Sequence, residues 1–128
     1  MQHERHYTPE EANASLDWLT ACLEVMRAAR DRLTDSEARE ALGEAAPDNG
    51  GGAPGRTVSE GFLALRDGLA ALRERELVLR DLDRGLVDFP AVRDGREVYL
   101  CWEEDETEIG FWHEPEAGFA GRQLLEDA

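Results

Sequence analysis

Apolar residues recur at Ala12, Leu16, Leu19, Leu23, Met26 and Leu33 in alternating steps of four and three, broken only by Arg30. That spacing keeps one face of an α-helix apolar. A second stripe, Trp18, Cys22, Val25 and Ala29, runs beside the first, so this helix is expected to touch more than one neighbour. Thr8 can cap it, Pro9 suits the first helical position and Glu11 completes a capping box. The first helical segment is therefore placed at residues 8–42, in which Ser36 to Leu42 either extends the helix or forms a short exposed turn of its own, ended by Gly43. From Val58 the seam resumes at Phe62, Leu65, Leu69, Leu72 and Leu79, with Glu76 as the charged interruption, which predicts a second helix over residues 58–79. Gly61, Ala64, Gly68 and Ala71 form a small-residue stripe along it. Each interior glycine costs about 1 kcal/mol relative to alanine, so the stripe marks either a close approach or compositional drift.

Between the helices, residues 43–57 read as a flexible connector. A literal GxGxxG runs from Gly50 to Gly55, but no strand precedes it and Pro54 sits inside it, so the dinucleotide-binding reading fails. Period-two alternation takes over in residues 80–122. Asp94-Gly95 is a two-residue hairpin turn, and pairing Arg93 with Arg96 sets Phe89 opposite Leu100, Asp88 opposite Cys101 and Val87 opposite Trp102. A second hairpin joins residues 97–103 to 108–114 around the acidic turn at 104–107. An even loop there would put Cys101 opposite Gly110 and Leu100 opposite Phe111. One face then carries Val87, Phe89, Val98, Leu100, Trp102, Ile109, Phe111 and His113 toward the helices. The other carries Asp88, Tyr99, Cys101, Glu103, Glu108, Trp112 and Glu114. Residues 123–128 are read as a frayed tail.

These elements define an α+β fold: a long antiparallel helical hairpin packed on a small antiparallel β-sheet of three or four strands, in a single domain over residues 1–128. A helix continuous from residue 9 to 33 would be about 37 Å long, against about 24 Å for a seven-residue strand. The surplus helix surface predicts a homodimer. With no apolar run near the ~18 residues that cross a bilayer, no membrane role is expected and the location is expected to be cytoplasmic. The formal charge of -15 argues against nucleic acid. None of the 14 basic residues is lysine, which excludes a lysine Schiff base. A protein partner or ligand drawn by charge would be cationic.

Candidate chemistry concentrates in the strands. Asp88, Cys101, Trp112, Arg122 and Tyr99 are the ligand-binding candidates of a mixed acidic and aromatic pocket, with Asp88 expected to accept from Tyr99, Trp112 or Arg122. Cys101, His113, Glu106 and Asp88 are the candidate metal ligands, for zinc or magnesium. The even loop sets Cys101 and His113 on opposite faces, so only an odd loop unites them. An aspartate beside Cys101 disfavours its thiolate. The leading expectation is a non-enzymatic binding or interaction module with no resident cofactor. The alternative is a metal-dependent or thiol enzyme using those four residues. His3 and His6 precede the helix cap and are read as flexible tail.

Short motifs across most of the chain, YTPEEAN from Tyr7, GLVDFPA from Gly85, VYLCW from Val98, FWHE from Phe111 and GFAGR from Gly118, look familiar in combination. Together they resemble the uncharacterised bacterial family known as domain of unknown function 2203. The resemblance implies a shared fold and no activity. It marks Asp88, Phe89, Cys101, Trp102, Glu106, Trp112, His113, Gly118 and Arg122 as featured positions. Glu103 and Glu104 depart from the family's pattern, which weakens any charge-based role for that turn.

Overall fold

The computed structural model describes residues 1–42 and 59–125. The expected connector therefore lies outside the described residues. The fold is α+β, with four helices and one five-stranded antiparallel sheet among the described residues. The helices are α1 (Pro9–Ala14), α2 (Leu16–Asp31), α3 (Asp35–Leu42) and α4 (Glu60–Glu74). The strands are β1 (Val78–Asp81), β2 (Leu86–Arg93), β3 (Arg96–Glu103), β4 (Phe111–His113) and β5 (Gln123–Leu124), paired in chain order.

The Thr8 capping box forms as expected: Thr8 Oγ1 accepts from Glu11 N–H, and Glu11 returns a carboxylate oxygen to Thr8 N–H, both at 3.0 Å. The first helical segment is nevertheless divided. Ser15, whose hydroxyl donates to the Glu11 carbonyl, separates α1 from α2, and a further break precedes α3. Instead of one long helix, α2 has 16 residues and α4 has 15.

The small-residue stripe marks a close approach. A Cβ on Gly61 would lie 2.9 Å from the Ala29 carbonyl oxygen, and one on Gly68 would collide with Met26. Arg75 lies 3.8 Å over the Trp18 ring, so successive contacts of α4 descend along α2. Helix α4 stops before the expected end at residue 79. Leu77 N–H donates to the Leu72 carbonyl and Glu76 N–H to that of Arg73, the two bonds of a Schellman cap. Glu76 takes the left-handed position, φ 61°, where glycine is usual. The chain reverses there and enters β1, which together with β5 makes the sheet five strands rather than three or four.

The β2–β3 register is the expected one, with Asp88 opposite Cys101 and Phe89 opposite Leu100. The β3–β4 register is not. Cys101 faces Phe111, Leu100 faces Trp112 and Tyr99 faces His113, so the loop is odd and every β4 side chain changes face. Contacts around Glu106 and Ile109 account for it: the Trp102 indole donates to the Glu106 carbonyl at 2.9 Å, and Asn13 Oδ1 of α1 captures Ile109 N–H at 2.7 Å. Val87, Phe89, Val98, Leu100, Trp102 and Trp112 consequently close the core with Leu19, Leu23, Met26, Leu65 and Leu72. Gln123–Leu124 pairs with Phe111 and Trp112 where a frayed tail was expected.

The face turned away from the helices is also covered. Strand β2 is buried at every position from Leu86 to Ala91. Part of the cover is the N-terminal arm, anchored by backbone N–H groups on two carboxylates: Gln2 and His3 on Glu97, Glu4 and Arg5 on Glu76. His3 and His6 are thus fixed rather than loose, through Tyr99 and Glu97 at 2.9 Å each.

Candidate functional site

Three strands converge on the covered face. Asp88 comes from β2, Cys101 stands opposite it on β3, and the odd loop delivers His113 from β4. Each is 1 % exposed. One ligand-capable atom from each lies within 4.8 Å of the others. His113 Nε2 is 2.9 Å from Asp88 Oδ2, and Arg80 Nε donates to the same oxygen at 2.9 Å. Arg80 reaches it from an irregularity in β1 where the register slips between Leu79 and Asp81. A bulge of this kind re-aims a side chain.

Oδ1 of Asp88, by contrast, is buried and has no hydrogen-bond partner. His113 Nδ1 lies 2.7 Å from the Glu114 carbonyl oxygen. That oxygen can only accept, so Nδ1 carries a hydrogen. A neutral imidazole has no second N–H. Nε2 is thus the ring nitrogen turned toward the Asp88 carboxylate. Burial first, and then the Asp88 carboxylate, push the Cys101 thiol up to about 12.

A cavity of about 220 Å³ opens above the cluster, bounded by Arg80, Leu86, Asp88, Cys101, Glu116 and Phe119. A larger cavity of about 400 Å³ lies elsewhere, lined by His3, Glu76 and mainly apolar residues of α4 and β1. The smaller one is the better candidate, because it alone of the two is floored by an unpartnered carboxylate oxygen and a thiol.

The remaining expected site residues separate. Trp112 packs in the core, on the other face from Asp88, with Arg93 4.8 Å over its ring. Tyr99 stays beside the cluster, its ring 5.6 Å from that of His113 and its hydroxyl on His3. Arg122 holds Glu106 through contacts of 2.8 and 2.6 Å and lies 3.8 Å over Phe111. It reaches Cys101 only at the backbone carbonyl, 3.3 Å away. Glu106 also accepts from Glu103 N–H and is no part of the trio. Asp88 thus accepts from Arg80 and meets His113 Nε2, and none of Tyr99, Trp112 or Arg122 donates to it. Three acids of the turn region are paired internally: Glu103 with Arg84, Glu104 with Arg27 and Glu106 with Arg122.

One residue of the site, Arg80, was not among the sequence candidates. His113 was a candidate ligand that only an odd loop would bring to Cys101, while Arg80 opened the expected β region without being singled out. The one signal for Arg80 was its position directly after the expected second helix, in a run of β-prone residues.

No helix among the described residues is long and apolar enough to cross a membrane. No curated protein and no solved structure matches the chain. The family model described as uncharacterized conserved protein (DUF2203) matches residues 5–125, and the chain belongs to that family.

Proposed function

We propose that the chain is a small cytoplasmic binding module, non-enzymatic in itself, which takes a small ligand into the cavity over Asp88 and Cys101. One observation carries this reading: Asp88 Oδ1 is buried beside the cavity without a partner. An unpaired buried acceptor costs about 1–3 kcal/mol, and a ligand offering a hydrogen-bond donor or a cation removes that cost. Leu86 and Phe119 give such a ligand an apolar wall, while Arg80 and Glu116 give it charges of both signs. A thiol-based enzyme is the weaker alternative, since a thiol held at about 12 is neutral near pH 7 and a poor nucleophile. The free state of Cys22 and Cys101 suits a reducing compartment.

Self-association belongs to the proposal in reduced form. Gly61 and Gly68 are taken up by α2, which leaves Val25, Leu63 and Leu42, 59 %, 49 % and 41 % exposed, as the large apolar helix positions open to a second copy. Light scattering at micromolar concentration should then give twice 14.3 kDa.

The binding reading is tested with a panel of small amines and other cationic metabolites, scored by thermal shift and ligand-observed NMR. The wild type is compared with Leu86→Trp, which fills the cavity. At least one compound should stabilise the wild type and leave the filled variant unmoved. A panel with no hits, or hits acting equally on both proteins, overturns the reading.

A further inference from the structure

The geometry points to a mononuclear transition-metal centre of the zinc type, held by Asp88 Oδ1, Cys101 Sγ and His113 Nε2. Sulfur, imidazole nitrogen and a single carboxylate are the donors zinc takes, whereas magnesium and calcium want oxygen throughout. All three residues are 1 % exposed and come from three adjacent strands, so the site is built into the sheet.

Two details argue for a metal ion over an ordinary polar cluster. His113 Nδ1 is tied to the Glu114 carbonyl oxygen at 2.7 Å, the outer contact that fixes the tautomer of a metal-bound histidine and leaves Nε2 for the ion. Asp88 also divides its oxygens: Arg80 occupies Oδ2, while Oδ1 is buried and unpartnered. Arg80 is then a positioning residue that holds the carboxylate while Oδ1 coordinates.

Bond lengths of about 2.1 Å to nitrogen or oxygen and about 2.3 Å to sulfur set tetrahedral donors about 3.4–3.6 Å apart. The trio's ligand-capable atoms lie within 4.8 Å of one another, so closing to those spacings takes roughly 1 Å at most. Binding displaces the thiol proton and any proton on Nε2 into solvent. The divalent ion, one thiolate and one carboxylate then sum to zero charge, which suits a buried site. A fourth coordination position faces the cavity, and only there does the inference rest on the binding reading above. A water or a donor atom of the ligand would complete the tetrahedron.

Cobalt(II) titration of the untagged wild type, prepared free of metal with chelator and reductant, tests the site directly. The expected result is one equivalent bound, with a thiolate-to-cobalt charge-transfer band in the near ultraviolet and tetrahedral visible bands, all displaced by zinc. The chain has two cysteines, so Cys22→Ser should keep the charge-transfer band and Cys101→Ser should lose it. Outer-shell changes weaken metal sites about 10–100-fold, and loss of the ligand in His113→Gln should exceed about 100-fold. Because buried variants can unfold, zinc must also raise the melting temperature of the unmodified wild type. A silent cobalt spectrum, or a band that survives Cys101→Ser, overturns the metal centre. Leu86→Trp separates the two readings: metal binding retained with small-molecule binding lost supports both. Small-molecule hits on a wild type that binds no cobalt sink the metal centre alone.

Discussion

Glu97 and Asp88 lie on neighbouring strands, each beside a histidine, and differ in how their oxygens are used. Glu97 Oε1 accepts from Gln2 N–H, and Oε2 accepts from His3 N–H and meets His6 Nε2, all at 2.9 Å. Glu76 treats the next two residues of the arm in the same way, one oxygen per backbone N–H. Donors and lone pairs match, and the result is a clamp. Asp88 is the reverse case: Oδ2 has Arg80 and His113, while Oδ1 has nothing. Tyr99 joins the two regions, its hydroxyl on His3 and its ring beside His113. A carboxylate whose oxygens are all spent inside the chain serves the fold. One with a buried oxygen left over has capacity for something else.

The sharpest way to break this contrast is to remove each carboxylate in turn. Asp88→Ala strands the buried imidazole and the Arg80 guanidinium without their shared acceptor, and losing one member of a buried charged group costs about 3–5 kcal/mol. Urea unfolding should show that loss in full. Glu97→Ala should cost clearly less, because water can reach the arm it releases. Equal losses would show that both carboxylates are scaffolding.

The two regions should also limit stability at opposite ends of the pH scale. Hydrogen bonds from His6 and from the His3 and Gln2 backbone overcome the burial that opposes ionisation and hold Glu97 down at about 2, below its ordinary 4.5. Glu76 is lowered too, by the Glu4 and Arg5 N–H groups and by His3. Between pH 4.5 and 2 the unfolded chain binds protons that the folded one refuses. The clamp's contribution is therefore complete above 4.5 and lost as pH falls toward 2. Melting curves from pH 5 to 2 should decline more gently in Glu97→Gln, and parallel curves would remove the clamp from the explanation. At the other end, the Cys101 thiol is raised from 9.0 to about 12. Unfolding releases its proton once pH exceeds 9, so stability should fall from pH 9 upward. Cys101→Ser should flatten that alkaline limb and leave the acid limb alone.

The same contrast explains what could be read from the sequence. Asp94-Gly95 alone sets the β2–β3 register, since φ is positive at both residues and a two-residue turn admits one pairing. It was enough to put Asp88 beside Cys101. The parity of the next loop was not legible, because it depends on Asn13 reaching Ile109 N–H across 96 positions and on the Trp102 indole finding Glu106. That one-residue difference moved His113 from the core to the cluster and Trp112 the other way. The N-terminal clamp was hidden for the same reason: nothing near His3 announces Glu76 or Glu97. The α+β class was readable because each seam and each alternation is a local period.

Glu76 offers the finest test, because there the clamp and the helix cap compete within one residue. Its φ of 61° places a glutamate where a Schellman cap favours glycine, so Glu76→Gly relieves backbone strain while it deletes the acceptor for Glu4 and Arg5 N–H. The two effects oppose each other. The melting temperature should move less than in Glu97→Ala, while hydrogen exchange at Glu4 and Arg5 accelerates and exchange at Gln2 and His3, held by Glu97, changes little. If all four amides exchange faster together, the arm is one cooperative unit. Two separate responses would instead show that each carboxylate holds its own pair of residues, as the separate oxygen-to-amide pairing implies.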